Sequence, residues 1–403
     1  MSKIRFLTAG ESHGKAIVGI IENFPRGVKI SYEFIMRELR LRRGGYGRSE
    51  RMKRESDEVE FLSGIRGGET TGSPISFIIR NSEWENWKEF LSPFDEVKKG
   101  KEFTSPRPGH ADFAGAMKFL TKDMRDILER ASARATVARV VAGSLAKLFL
   151  MNFGIECHFH VLSLGSVNAS TKYPEKITYE ELVKRLESTF FYCLDKEAEE
   201  KMVEEVDRAK KDGYSLGGIF EVRVKNVPPG LGSYAEWDRR IDARLSMAVM
   251  SIPSVKGVEI GNGIRGSALK GYEFHDQIYF RNIKRKSSNF LSYSDVKKFY
   301  RKTNNAGGIE GGITNGEDVV VRGYMKPIPT MRTPLMGVDL NTKKPSLAHF
   351  ERADVTVVPA GALIGSACVA YEICNAFLEK FGGDTMDEVK NAYKIYLRSI
   401  EKF

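Results

Sequence analysis

Asn23-Phe24-Pro25-Arg26-Gly27-Val28 and Asn226-Val227-Pro228-Pro229-Gly230-Leu231 write one turn twice, about 200 residues apart in a chain of 403. Each copy follows an apolar stretch containing Gly and Ile, Gly19-Ile20-Ile21 in the first and Gly218-Ile219-Phe220 in the second. Each then passes through Ser-Tyr, at Ser31-Tyr32 and Ser233-Tyr234, into an arginine-rich segment with helical spacing. A repeat at half the chain length implies a duplicated strand–turn–helix unit. One fold with two pseudo-equivalent halves is expected, a single domain over residues 1–403. Pro-Gly turns before helices are common, so chance recurrence is the competing reading.

Working outward, caps and periodicity mark the helices. Ser31 can cap a helix running to about Arg42 and stopped by Gly44-Gly45. Thr178 with Glu181, and Thr385 with Glu388, have capping-box spacing. A charged helix from Asp195 to about Lys211 is closed by Gly213, and apolar residues recur at helical spacing from Phe113 to Phe153. Alternation over Ile219–Val224 and the apolar run Val319–Val321 read as strands. Ser82 to Pro108 reads as an extended loop. Helices and strands are mixed, so the fold class is α+β.

Composition limits the function. At 41% hydrophobic residues the chain can build a real core. The first residues do not form a signal peptide, because Arg5, Glu11, His13 and Lys15 interrupt them, and no uninterrupted apolar run suits a membrane span. Cys157, Cys193, Cys368 and Cys374 are scattered without a CxxC pair, as for reduced cytoplasmic thiols. A net charge of +10 favours anionic partners. The densest basic run, Arg37 to Arg54, has Tyr46 as its sole aromatic and no zinc-finger, RRM or KH pattern, which argues against nucleic acid as the partner.

Two of six histidines lie in glycine- and arginine-rich loops: His13 in Ala9-Gly10-Glu11-Ser12-His13-Gly14-Lys15, and His110 in Pro106-Arg107-Pro108-Gly109-His110-Ala111-Asp112. Imidazole transfers protons near neutrality, and cations beside it draw in an anion. Acid–base chemistry on a phosphorylated or carboxylated substrate follows. The first loop fails P-loop spacing, with three residues between Gly10 and Gly14 and Ala16 after Lys15. In Arg42-Arg43-Gly44-Gly45-Tyr46-Gly47-Arg48 the guanidinium forks suit carboxylate or phosphate. A solvated basic helix end would explain Arg42 and Arg43 but not Gly-Gly-Tyr-Gly.

Arg130-Ala131-Ser132-Ala133-Arg134 sets small residues between arginines inside a helical pattern, which by itself signals only close helix packing. The glycine-dense stretch Thr303–Gly316 cannot be regular helix or strand, and it leads to Lys326-Pro327-Ile328-Pro329-Thr330, where a cofactor phosphate could be held. Glu351-Arg352-Ala353-Asp354 alone would be an unremarkable charged loop. His158 and His160 share one face of a strand, a weak metal signal with no further ligands beside it.

Taken in order, these loops resemble chorismate synthase over essentially the whole chain. The resemblance rests on Gly10–Gly14, Arg43–Arg48, Arg107–Asp112, Arg130–Arg134, Thr303–Gly316, Lys326–Thr330 and Glu351–Asp354. It implies a 1,4-anti elimination of phosphate from 5-enolpyruvylshikimate 3-phosphate, giving chorismate, with reduced FMN required although no net redox change occurs. It implies substrate contacts at Ser12, Arg42, Arg48, Arg107, Arg134 and Arg352. His13 would be the general acid at the phosphate. His110 would sit at the flavin and supply a proton to its N1 side, and Asp354 would accept one from N5. Flavin contacts would come from His110, Arg130, Ala131, Ser132, Gly311, Lys326, Pro327, Ile328, Pro329, Thr330 and Arg352, with no metal.

The chain departs from the family pattern at Ile252–Gly257, where a proline without an N–H weakens the case for Pro253 and Ser254 as flavin contacts, and at Ala131, where serine is frequent. The resemblance further implies a βαβ sandwich and a homotetramer in the cytoplasm. With no extra segment for the NADPH-dependent flavin reductase activity of some relatives, an external reductase is expected. The other classes in play are a basic nucleic-acid-binding protein and a flavoprotein with ordinary redox chemistry.

Overall fold

The computed structural model describes residues 4–48, 57–283, 291–350 and 354–403. Strands Arg5–Ala9, Ala16–Glu22, Ile75–Arg80 and Val59–Ser63 form, in that spatial order, an antiparallel four-stranded sheet. A second antiparallel sheet of five strands runs in the order Val255–Ile260, Val319–Met325, Gly218–Lys225, Glu156–Leu164 and Val167–Asn168. Two long helices, Thr136–Met151 and Val358–Phe381, pack on each other. The first touches strand Ala16–Glu22 of the four-stranded sheet, and both touch Glu156–Leu164 of the five-stranded one. The class is α+β, as the mixture of signals implied.

Small residues let these layers approach. A methyl on Gly143 would collide with Ala367 on the facing helix, and one on Gly361 or Gly365 would collide with Met325 or Phe220 of the second sheet. Val358–Phe381 is long and apolar enough to cross a membrane, but 89% of its most hydrophobic window is buried in the protein. Glu372 and Asn375, also buried, interrupt the apolar run. The helix is the centre of the core.

The caps fall where the sequence put them. Ser31 accepts the Phe34 N–H at the start of Tyr32–Arg43, and both capping boxes close. Asp195 caps Lys196–Asp212, which ends at Gly213 with φ +83°. The periodic stretch Phe113–Phe153 is not one helix. It divides into Asp112–Phe119, Arg125–Ala131, a 3₁₀ turn Ala133–Ala135 and Thr136–Met151. The first break is Leu120, which is left-handed at φ +54°. The second is Ser132, extended, whose hydroxyl accepts the Arg134 N–H and so competes with the helix ladder. Ser82–Pro108 is mostly irregular but holds a short helix, Trp84–Trp87.

The two look-alike turns share their bonding. In the first, Thr70 Oγ1 donates to Pro25 O and accepts from Val28 N, while the Gly27 N–H reaches Thr70 O. In the second, Thr314 Oγ1 donates to Pro228 O and accepts from Leu231 N, while the Gly230 N–H reaches Thr314 O. Asn23 and Asn226 open the turns at φ +63° and +59°. The glycine-dense stretch containing Thr314 is a set of tight turns around a two-residue hairpin, with Gly307, Gly308, Gly311, Gly312 and Gly316 all at positive φ. All four cysteines are buried and unpaired.

Candidate active site

One cleft of about 260 Å³ collects most of the predicted residues: Ser12, His13, Arg42, Arg48, Arg107, His110, Ala131, Ser132, Arg134, Ile328, Pro329, Thr330 and Asp354 all line it. It opens where the first sheet, the broken helical stretch and the N-terminus of Val358–Phe381 meet. The break at Ser132 explains how a helical pattern could supply it. By leaving the helix there, the chain turns Ser132 and Arg134 toward the cleft, and Ser132 Oγ donates to Ser12 Oγ at 3.0 Å.

His13 is 4% exposed. Its Nδ1 lies 2.9 Å from Glu129 Oε1, its backbone N–H donates to Glu129 Oε2 at 2.7 Å, and its Nε2 lies 3.5 Å from Glu83 Oε2. Trp87 stacks on the ring with centroids 4.3 Å apart. His110 Nδ1 bonds Asp112 Oδ1 at 2.5 Å, and Asp112 also receives Arg107 Nε at 2.8 Å and Nη2 at 3.0 Å. Burial alone would push the Asp112 carboxyl up. The bonds from His110 and Arg107 outweigh that and hold it well below the ordinary carboxylate range.

The cationic wall is built around Asp57. Arg42 Nη2 reaches its Oδ2 at 2.6 Å, Arg134 Nη1 bonds its Oδ1, and Arg134 Nε donates to Asn81 Oδ1 at 2.9 Å. Burial raises the Asp57 pKa, but Arg42 and Arg134 prevail and keep it lowered. Arg48 Nη1 meets Asp354 Oδ2 at 2.8 Å. Their loops are tied by the Val355 N–H to the Gly47 carbonyl, with Gly45 and Gly47 at φ +100° and +81° supplying the turn. Arg42 and Arg48 of the basic run are therefore paired in the cleft wall rather than solvated. Arg37 adds a two-pronged pair with Glu180 at 2.6 and 2.7 Å.

Other predicted residues lie elsewhere. Arg130 turns away from the cleft and clamps the first loop, donating to Gly10 O, Thr8 O and Thr8 Oγ1. Gly311 is in the hairpin turn between Ile309–Glu310 and Ile313–Thr314 and does not line the cleft. Lys326 and Pro327 stand just outside the lining, where Lys326 Nζ donates to Gly109 O at 2.9 Å and so anchors the loop of His110. Pro253 and Ser254 do line the cleft. Arg352 lies outside the described residues. On the second sheet, His158 is bonded to Glu156 and to Tyr173 of the loop after it, and His160 to Glu221. Among the described residues no group of three or more metal-type ligands exists.

Sequence reasoning missed Glu129, Asp57, Asn81 and Trp87. Only Asp112 had a usable signal, standing two residues from His110 inside a quoted loop. The donor set suits a flat ring with an anionic tail. Ile252, Met325, Ile328, Val357 and Ile364 give apolar walls, arginines stand beside them, and the buried Arg42 Nε has no hydrogen-bond partner.

Fold and cleft define an enzyme-type site in which arginines line one pocket beside two imidazole–carboxylate pairs. The family model described as chorismate synthase matches residues 4–378. Curated chorismate synthases from Carboxydothermus hydrogenoformans and Geobacter sulfurreducens are each 48% identical, over 99% of this chain and 100% of the relative. A crystal structure of chorismate synthase superimposes with a TM-score of 0.77 at 37% identity, covering all of both chains. The chain belongs to the chorismate synthase family. Its activity is that of a carbon–oxygen lyase, the 1,4-anti elimination of phosphate from 5-enolpyruvylshikimate 3-phosphate to chorismate in aromatic amino-acid biosynthesis by the shikimate pathway, and the family requires reduced flavin.

Proposed function

We propose that the cleft holds substrate and reduced FMN together, with Arg42, Arg48, Arg107, Arg134 and Arg352 neutralising the substrate's phosphate and two carboxylates and Ser12 adding a hydroxyl. The observation that carries this reading is the convergence of four of those arginines, both loop imidazoles and Asp354 on one cleft. Ser132, Ala131, Ile328, Pro329, Thr330 and His110 form the flavin's share of the walls. Arg130 and Lys326 support it from outside the cleft by holding the loops of His13 and His110. When bound, reduced FMN supplies electron density to the breaking C–O bond and a base for the substrate's C6 hydrogen.

His13 presents a proton at Nε2 to the departing phosphate. Asp354, the carboxylate that Arg48 orients, would accept a proton from the cofactor, and His110 would supply one to it. The surrounding apolar residues exclude water, which strengthens each charge interaction. The chain acts as one domain, a βαβ sandwich of two duplicated halves, a reading supported by the shared turn bonding of Pro25–Val28 and Pro228–Leu231. It works as a cytoplasmic homotetramer fed by an external flavin reductase.

Anaerobic assay of the folded protein with reduced FMN and 5-enolpyruvylshikimate 3-phosphate is expected to release phosphate and form chorismate. No turnover would overturn this reading, and redox turnover without elimination would replace it with ordinary flavoprotein chemistry.

A further inference from the structure

We infer that Glu129 is the positioning residue for His13, fixing the imidazole so that Nε2 rather than Nδ1 meets the phosphate. The inference rests on the reading of His13 as the acid. The Glu129 side chain is fully buried, and its two oxygens lie 2.9 and 3.1 Å from His13 Nδ1. Oε2 also takes the His13 backbone N–H at 2.7 Å, and the Glu129 carbonyl takes the Ser12 N–H at 3.0 Å. One residue therefore grips both the ring and the backbone of the Ser12-His13 loop from 116 positions away.

An ionised carboxylate only accepts hydrogen bonds, so Nδ1 carries the hydrogen in this pair. Proton exchange is then confined to Nε2. Trp87, stacked on the ring face, blocks rotation out of that plane. The other carboxylate at the ring, Glu83, cannot do the same work. Its Oε2 is 3.5 Å from Nε2, beyond a good hydrogen bond, and its side chain is 40% exposed. Arg125 Nη1, 3.5 Å from Glu129 Oε1, closes an ion pair with it from the next turn of the helix. In Glu129→Gln an amide NH2 replaces one of the two oxygens, so a donor faces either Nδ1 or the His13 backbone N–H where an acceptor stood.

The test uses full-length, FMN-loaded protein carrying [15N]histidine, with His13→Ala assigning the resonance. Neutral His13 is expected to carry its hydrogen on Nδ1. Glu129→Gln is expected to shift it toward Nε2 and to lower kcat by about 10²-fold, as an imidazole in the wrong tautomer does, with KM for the substrate within about twofold. A neutral wild-type His13 carrying its hydrogen on Nε2 instead of Nδ1 would overturn the inference whether or not the variant folds, and so would a Glu129→Gln kcat within twofold of normal. Full turnover by His13→Ala would instead remove the reading of His13 as the acid. An inactive His13→Ala beside a normal Glu129→Gln would sink the role of Glu129 alone.

Discussion

His13 and His110 each set Nδ1 against a buried carboxylate, but the two pairs are assembled at different ranges. His110 takes Asp112 from two residues along the same loop, and that carboxylate is shared with Arg107. His13 takes Glu129 from a helix far along the chain, and that carboxylate serves the His13 loop, with Arg125 behind it. The local pair is a knot that secures a cation and an imidazole together. The long-range pair is a joint between the first sheet's loop and the helical region. A loss at Asp112 should therefore register as stability, and a loss at the His13 joint as rate.

The largest effect tests that division. His13→Ala is expected to reduce turnover by about 10²–10⁴-fold while FMN binding, read by fluorescence titration, stays largely intact. Asp354→Ala should behave alike, and a near-normal rate in either would remove its proton role. Next, Asp112→Asn should lower unfolding free energy by about 3 kcal/mol in denaturant titration, because it strands a buried guanidinium. A loss confined to rate, with stability unchanged, would erase the contrast between the two pairs.

Arg48→Ala leaves both pairs in place and serves as the control. It should raise KM for the substrate about tenfold, roughly 1.4 kcal/mol, and unchanged affinity would count against an anion site there. The gentlest probe is pH. Asp112 and Asp57 are held below their unfolded values, and Glu221, although burial pushes it up, is brought to about 2 by His160, Arg223 and Arg322. Between those depressed values and the ordinary carboxylate range the unfolded chain binds more protons, so stability rises with pH there. Thermal midpoints should be flat near neutrality and fall as pH drops below about 4.5. A decline beginning above pH 6 would point to the histidines instead.

This contrast also explains what could be read in the sequence. Asp112 was visible beside His110, and Ser31, Thr178, Thr385 and Gly213 marked helix ends, because caps and turns act over three or four residues. The clustering of Ser12, His13, Arg42, Arg48, Arg107, Arg134 and Asp354 came through family resemblance rather than spacing. Glu129 and Asp57 were invisible. One is an acid among other charged residues of a short helix, the other an aspartate between two glutamates after a charged run, and each acquires meaning only from a partner brought in by the fold. The break at Ser132 was hidden for a related reason, since helical periodicity continues across it while a single hydroxyl redirects the backbone.

The wall formed by Ala360, Gly361 and Ile364 has a consequence for inhibition. It is the start of the helix at the centre of the core, where a methyl on Gly361 would meet Met325 Sδ at 2.3 Å and push that flexible side chain aside. An inhibitor that leans on this wall would press on residues that also pack the core, so a substitution that reshapes the wall shifts core packing with it. The opposite side of the cleft carries Arg42, Arg48, Arg107 and Arg134, the residues proposed to hold the substrate.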